Sequence, residues 1–232
     1  MQKIKTVFFG THDFAVTILQ GLLDNPLFDI ELVITQPDRP VGRKQKLQKS
    51  PVKKIAEKNN LKIDQPVSLK TYQLANLPTC ELFIVAQYGL LIPKNILEAP
   101  KHGTINVHTS LLPKYRGASP IQSALLNGDT ETGVTIMLMD VGLDSGPILL
   151  QKNIDILPDE TYLELDARLA AVGSEALSES IPEYISGELK PQTQDESKVT
   201  LCQKLSRDDG KVDWQKTTEE IYNQYRALTP WP

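Results

Sequence analysis

IKTVFFGTHDFAVTILQGLL, residues Ile4–Leu23, sets two hydrophobic periods back to back. Ile4–Phe9 is a short apolar run with aromatics, closed by Gly10, which is the signature of a buried strand. Asp13 then offers an N-cap, and Phe14, Ile18, Leu19, Leu22 and Leu23 recur at helical spacing. Strand, turn and helix in one stretch form the first half of a βαβ unit.

The same alternation continues outward. Ile30–Thr35, Leu82–Ala86, Thr104–Val107, Val134–Met139 and Ile148–Ile156 read as strands. Between them, Val52–Lys58, a short segment around Ile96 after Pro93, and Pro120–Asn127 read as helices. This order predicts an α/β fold with an open, mostly parallel, Rossmann-like sheet covered by helices on both faces. After Pro158 a single long helix is expected over Asp159–Gly187, opened by the capping sequence PDET. Pro191–Lys198 is polar and reads as a loop, and Thr217–Leu228 returns to helix.

Composition is that of an ordinary globular chain: 232 residues, 40% hydrophobic and 23% charged, large enough to bury a core without staples. The two cysteines, Cys80 and Cys202, lie far apart in no metal-binding spacing, which points to a reducing, cytoplasmic compartment. The apolar run that ends at Gly10 is too short for a signal peptide core or a membrane span. No metal site is expected among the histidines His12, His102 and His108.

Ligands of open α/β sheets bind beyond the carboxyl ends of the strands. In INVHTSLLPKYRG (Ile105–Gly117), Asn106 and His108 stand at such an end, two residues apart and so on one face. The following strand leads into MDVGLDSGP, which offers Asp140 and Asp144 on a Gly-punctuated loop. An amide donor, an imidazole and a carboxylate are expected to converge if the two strands are neighbours. Taken singly, each is also an ordinary loop-capping or turn residue, and together they suit either acyl transfer or proton transfer.

The paired stretches NVHTSLLPKYRGASPIQ and ETGVTIMLMDVGLDSGPIL resemble the signature of the 10-formyltetrahydrofolate-dependent formyltransferases. FFGTHDFAVTILQGLL, VITQPDRPVGRKQKLQKSPVKKIAEKNNL, IVAQYGLLIP, KLSRDDGKVDW and ALTPWP are similar, in order, to the branch acting on methionyl-tRNA. The resemblance implies Asn106 as donor to the formyl oxygen, His108 as proton carrier and Asp144 as its partner. It implies a reduced folate held by Gln87, Tyr88, Gly89 and Leu90 on one side, by Ser110, Leu111, Leu112 and Pro113 on the other, and by Asp140. Residues 1–190 are expected to form the catalytic domain. Residues 191–232 are expected to form a linker and the start of a C-terminal region whose β-barrel domain is absent. His12 stands where the family commonly has Pro.

The basic residues between Asp38 and Lys58 (Arg39, Arg43, Lys44, Lys46, Lys49, Lys53, Lys54, Lys58) face only Asp38 and Glu57, a local net of +6 in a chain of net charge −4. Such a run is often a solvated face, and it is also what a phosphate backbone attracts. Through the resemblance, Arg39, Arg43, Lys44, Lys46 and Lys49 are expected to hold initiator methionyl-tRNA, with the protein a monomer away from any membrane. A small amine, as in the amino-sugar or glycinamide ribonucleotide branches, is the alternative acceptor and would not need these charges. A dinucleotide enzyme fits poorly, since GTHDFA has one glycine where the fingerprint needs three. A catalytically silent RNA-binding module would not need the intact Asn106, His108 and Asp144.

Overall fold

The computed structural model describes residues 3–41 and 45–232. In chain order its strands are β1 (Ile4–Gly10), β2 (Phe28–Ile34), β3 (Arg39–Val41), β4 (Lys46–Gln48), β5 (Ile63–Asp64), β6 (Leu82–Ala86), β7 (Thr104–His108), β8 (Arg116–Gly117), β9 (Glu131–Leu138), β10 (Ile148–Asp155) and β11 (Leu201–Cys202). The helices are α1 (Asp13–Asp24), α2 (Pro51–Lys58), α3 (Lys94–Leu97), α4 (Pro120–Leu126), α5 (Tyr162–Ser186) and α6 (Thr218–Leu228).

The main sheet runs β10-β9-β7-β6-β1-β2-β5. β7, β6, β1, β2 and β5 are parallel, as expected, but β9 is antiparallel to both β7 and β10. Its register, Ile105 against Leu138 and His108 against Thr135, puts the carboxyl end of β9 beside the amino end of β7. The expectation that Asp144 follows a strand end neighbouring that of β7 is therefore corrected: the loop after β9 starts at the opposite end of the sheet.

Two apolar layers sandwich the sheet. Phe14, Ile18, Leu19 and Leu22 of α1 pack with Leu165, Leu169, Ala176, Leu177 and Ile181 of α5 against Ile105, Val107, Val134 and Ile136. Gly173 lets α5 close on Val107, since a Cβ there would stand 2.9 Å from the valine methyl. The other face carries Val7, Phe9, Ile34, Phe83, Val85, Tyr88 and Ile96, with Phe9 edge-on to Tyr88. α5 starts at Tyr162 because Glu164 accepts from both the N–H and the hydroxyl of Thr161, a capping box that ties down the first turn.

The basic segment forms a small β3–β4 hairpin apart from the main sheet. β11 pairs with β8, which ties residues 201–202 to the segment just after β7.

Candidate active site

Val85, Asn106 and Met137 are register partners, so their side chains share one face of the sheet. Asn106 is half-buried there, and its amide makes no hydrogen bond to any described residue. A partly desolvated amide donor without a partner is an open receptor for an oxyanion.

His108 is 6% exposed and its orientation is fixed by one contact: Nε2 lies 3.0 Å from the carbonyl oxygen of Tyr115. A carbonyl only accepts, so Nε2 carries the proton and the lone pair of the neutral ring is on Nδ1. Nδ1 faces Asp144 Oδ2 at 3.7 Å. A second proton taken at Nδ1 thus meets a carboxylate at once. Asp144 adopts φ 48°, in the left-handed region, and its Oδ2 accepts from the N–H of Gly117 at 2.8 Å.

Asn106 and His108 therefore share a face of β7, and Asp144 reaches His108 although β9 runs the wrong way for that. The loop after β9 begins beside Thr104, whose carbonyl accepts from the N–H of Met139, and climbs back over the sheet. His108 lies four residues further along β7, about 13 Å of strand beyond the start of that climb.

The chain beyond β6 forms the facing wall. Gln87 takes φ 41° and turns its side chain away from this face, where Nε2 donates to Asp166 at 3.0 Å. Its side chain being so engaged, its backbone is the part left for a ligand, as the resemblance implies for this run. The Tyr88 carbonyl already accepts from Thr11 and Gln36, and the Tyr88 ring is buried. Gly89, at φ 78°, lies against the Gln36 amide at a spacing only glycine tolerates. From Gly89 to Ile92 the backbone makes no hydrogen bond to another described residue, so a continuous run of donors and acceptors remains for the edge of a ring.

A cavity of about 190 Å³ lies between Lys94, Leu97 and Glu98 on one side and Met139, Asp140 and Val141 on the other. Leu91, Val141 and Leu143 are exposed apolar side chains on these two loops. Drug-sized ligands use pockets of about 300–1,000 Å³, so this cavity takes one ring system and the open cleft takes the rest. Asp140 lines the cavity, but its carboxylate accepts from Gly142 N–H and the Ser145 hydroxyl and so shapes the turn.

Ser110, Leu111, Leu112 and Pro113 occupy a different place. Ser110 and Leu112 are buried; Thr135 links the Ser110 carbonyl to the Leu112 N–H, and Gln151 donates to the Leu112 carbonyl. Leu111 and Pro113 are half-buried, with Leu111 packed toward Gly133. The backbone groups of Ser110 and Leu112 thus join β7 to β9 and β10.

Of the basic residues, Arg39 and Lys46 are exposed on the hairpin. Lys49 pairs with Glu57 at 2.7 Å and Lys53 with Asp38 at 2.8 Å, so Lys49 is not a free cation. Arg43 and Lys44 lie outside the described residues. His12, beside α1, has its pKa lowered by burial and by Arg39, against the opposing pull of Asp13. The hairpin thus adjoins the end of the sheet where the site lies. Among the described residues no group of three His, Cys, Asp or Glu side chains is placed to hold a metal, and no helix is long and apolar enough to cross a membrane.

An amide donor, a tautomer-fixed imidazole with a carboxylate at its free nitrogen, and a cleft with an unpaired backbone edge suit transfer of a one-carbon acyl group. The chain belongs to the formyl transferase family: the family model matches residues 2–181, and that of the formyl transferase C-terminal domain matches residues 204–232. Among curated relatives, methionyl-tRNA formyltransferase of Caldicellulosiruptor saccharolyticus is 45% identical over 97% of this chain and 73% of that protein. That of Marinobacter nauticus is 46% identical over 99% and 74%. Among solved structures, a sugar 3N-formyl transferase (WlaRD) in the presence of dTDP and 5-N-formyl-THF is 28% identical, with a TM-score of 0.73 over 98% of this chain and 80% of that one.

Proposed function

We propose that this chain transfers the formyl group of 10-formyltetrahydrofolate to the α-amine of methionyl-tRNA, in the cytoplasm. Near 45% identity to methionyl-tRNA formyltransferases over almost the whole chain is the observation that carries this reading. The bound folate supplies the formyl carbon as an amide of its aryl nitrogen. Its ring suits the cavity beside Met139, with the unpaired Gly89–Ile92 backbone at its edge.

Asn106 donates its side-chain amide to the formyl oxygen as negative charge gathers there. His108 takes the proton that the attacking amine releases, at Nδ1, and returns it to the nitrogen from which the formyl group departs. Asp144 stabilises the imidazolium between those two transfers. One C–N bond forms, one breaks, and one proton crosses through Nδ1. Arg39 and Lys46, with Arg43 and Lys44, supply charge to the acceptor's phosphates.

Asn106→Ala tests the assignment of the oxyanion donor. Losing one such donor lowers kcat by about 100- to 1,000-fold, while folate affinity measured by calorimetry stays within about threefold of the parent. A kcat within fivefold of the parent would exclude Asn106 from that role.

A further inference from the structure

Asp144 holds a left-handed φ on a loop that leaves the sheet at the wrong end, so something outside the loop fixes it. Gln194 does this. Its Nε2 donates to the carbonyl oxygens of Asp144 and Gly146, both at 2.8 Å, bracketing the residues that follow the climb. Its Oε1 accepts from Arg116 Nε at 3.0 Å and Nη2 at 2.8 Å. A guanidinium only donates, so the amide stands in one orientation, with Nε2 toward the loop.

Arg116 is 6% exposed and Gln194 5%, and Glu196 pairs with the outer edge of the guanidinium. The next residue, Gly117, gives its N–H to the Asp144 carboxylate. The ring closes: Arg116 side chain to Gln194, Gln194 to the Asp144 backbone, Asp144 carboxylate to the backbone beside Arg116. The Ile148–Gln192 bridge and the β8–β11 pairing anchor the strap on either side of Gln194.

We infer that Gln194, held by Arg116, is a positioning residue for formyl transfer, setting the Asp144 carboxylate against His108 Nδ1. The inference rests on the reaction proposed above, and it places residues 191–202, outside the catalytic domain as the sequence divides it, in the service of the site. Its effect is through Asp144 alone, since the Gln194 side chain bonds only to that loop and to Arg116 among the described residues.

Gln194→Glu separates positioning from mere packing. The glutamate matches the side chain in shape and suits Arg116 at least as well, but it removes both donors to the loop and sets oxygen against oxygen. Expected are a kcat at least tenfold lower, a kcat–pH profile displaced to lower pH, folate affinity within threefold of the parent, and an unfolding temperature within about 3 °C. The Gly117 amide, followed by hydrogen exchange in NMR, should exchange at least tenfold faster as its bond to Asp144 loosens. Unchanged Gly117 exchange, or a kcat within twofold with an unmoved profile, would overturn the inference. If Gln194→Glu does not fold, Gln194→Ala is read by the same criteria. If the parent itself transfers no formyl group to methionyl-tRNA, the reaction is wrong, while Gly117 exchange still decides the clamp.

Discussion

Asp166→Asn should gain stability relative to the parent as pH rises. The Asp166 carboxyl on α5 is 9% exposed. Burial pushes its pKa up to about 6 from 3.8; the hydrogen bond from Gln87 opposes this, and the nearby Asp13 charge adds to it. Because the folded pKa lies above the unfolded one, the unfolded chain ionises first as pH rises. Stability is thus lost between about pH 4 and pH 6 and stays lost above. A separation of about 2.2 pKa units at 1.36 kcal/mol each amounts to roughly 3 kcal/mol. Asn keeps an oxygen for Gln87 and never ionises. Its new amide hydrogens cost something when poorly paired, up to about 1–3 kcal/mol, but equally at every pH. The robust quantity is therefore the change in stability difference between variant and parent from pH 4 to pH 8, expected at about 2–3 kcal/mol in favour of the variant. Urea unfolding followed by circular dichroism at both pH values measures it. A difference that is the same at pH 4 and pH 8 would refute the assignment of the strain to this carboxyl.

Gly133→Ala should destabilise by roughly 2–3 kcal/mol, in the range of overpacked cores, because the new Cβ would sit 2.2 Å from the Lys152 carbonyl oxygen across β9–β10 and 2.5 Å from Leu111; thermal unfolding checks this. Arg39→Ala with Lys46→Ala should raise the KM for methionyl-tRNA, lower the slope of log affinity against log salt by about one for each phosphate left unneutralised, and leave folate affinity alone, as titrations at two ionic strengths would show. His108→Asn should abolish most transfer while leaving folate binding intact; calorimetry beside a formylation assay separates the two.

Much of the fold was legible along the chain. The β1–α1 unit, β6 and β7 announced themselves because a buried strand closed by Gly10 and a helix with apolar 3.6-residue spacing leave local signals. Asn106 and His108 could be paired because strand alternation alone puts them on one face. The direction of β9 left no such mark: α4 between β7 and β9 looks like any crossover helix, and only sheet pairing decides which way the next strand runs. The approach of Asp144 to His108 then depended on Gln194, fifty positions away, an isolated amide in a polar stretch that reads as loop. The β3–β4 hairpin was hidden because its exposed, charge-rich positions carry no apolar period.

Formyl transfer to methionyl-tRNA is decided by incubating the protein with 10-formyltetrahydrofolate and either charged initiator methionyl-tRNA or an amino-sugar nucleotide, then identifying the formylated product by mass spectrometry. The expected product is N-formylmethionine, released on deacylating the tRNA, whose formation requires the folate and falls as salt rises. Formylation of the amino sugar with none on methionyl-tRNA, at a rate indifferent to salt, would overturn methionyl-tRNA as the acceptor.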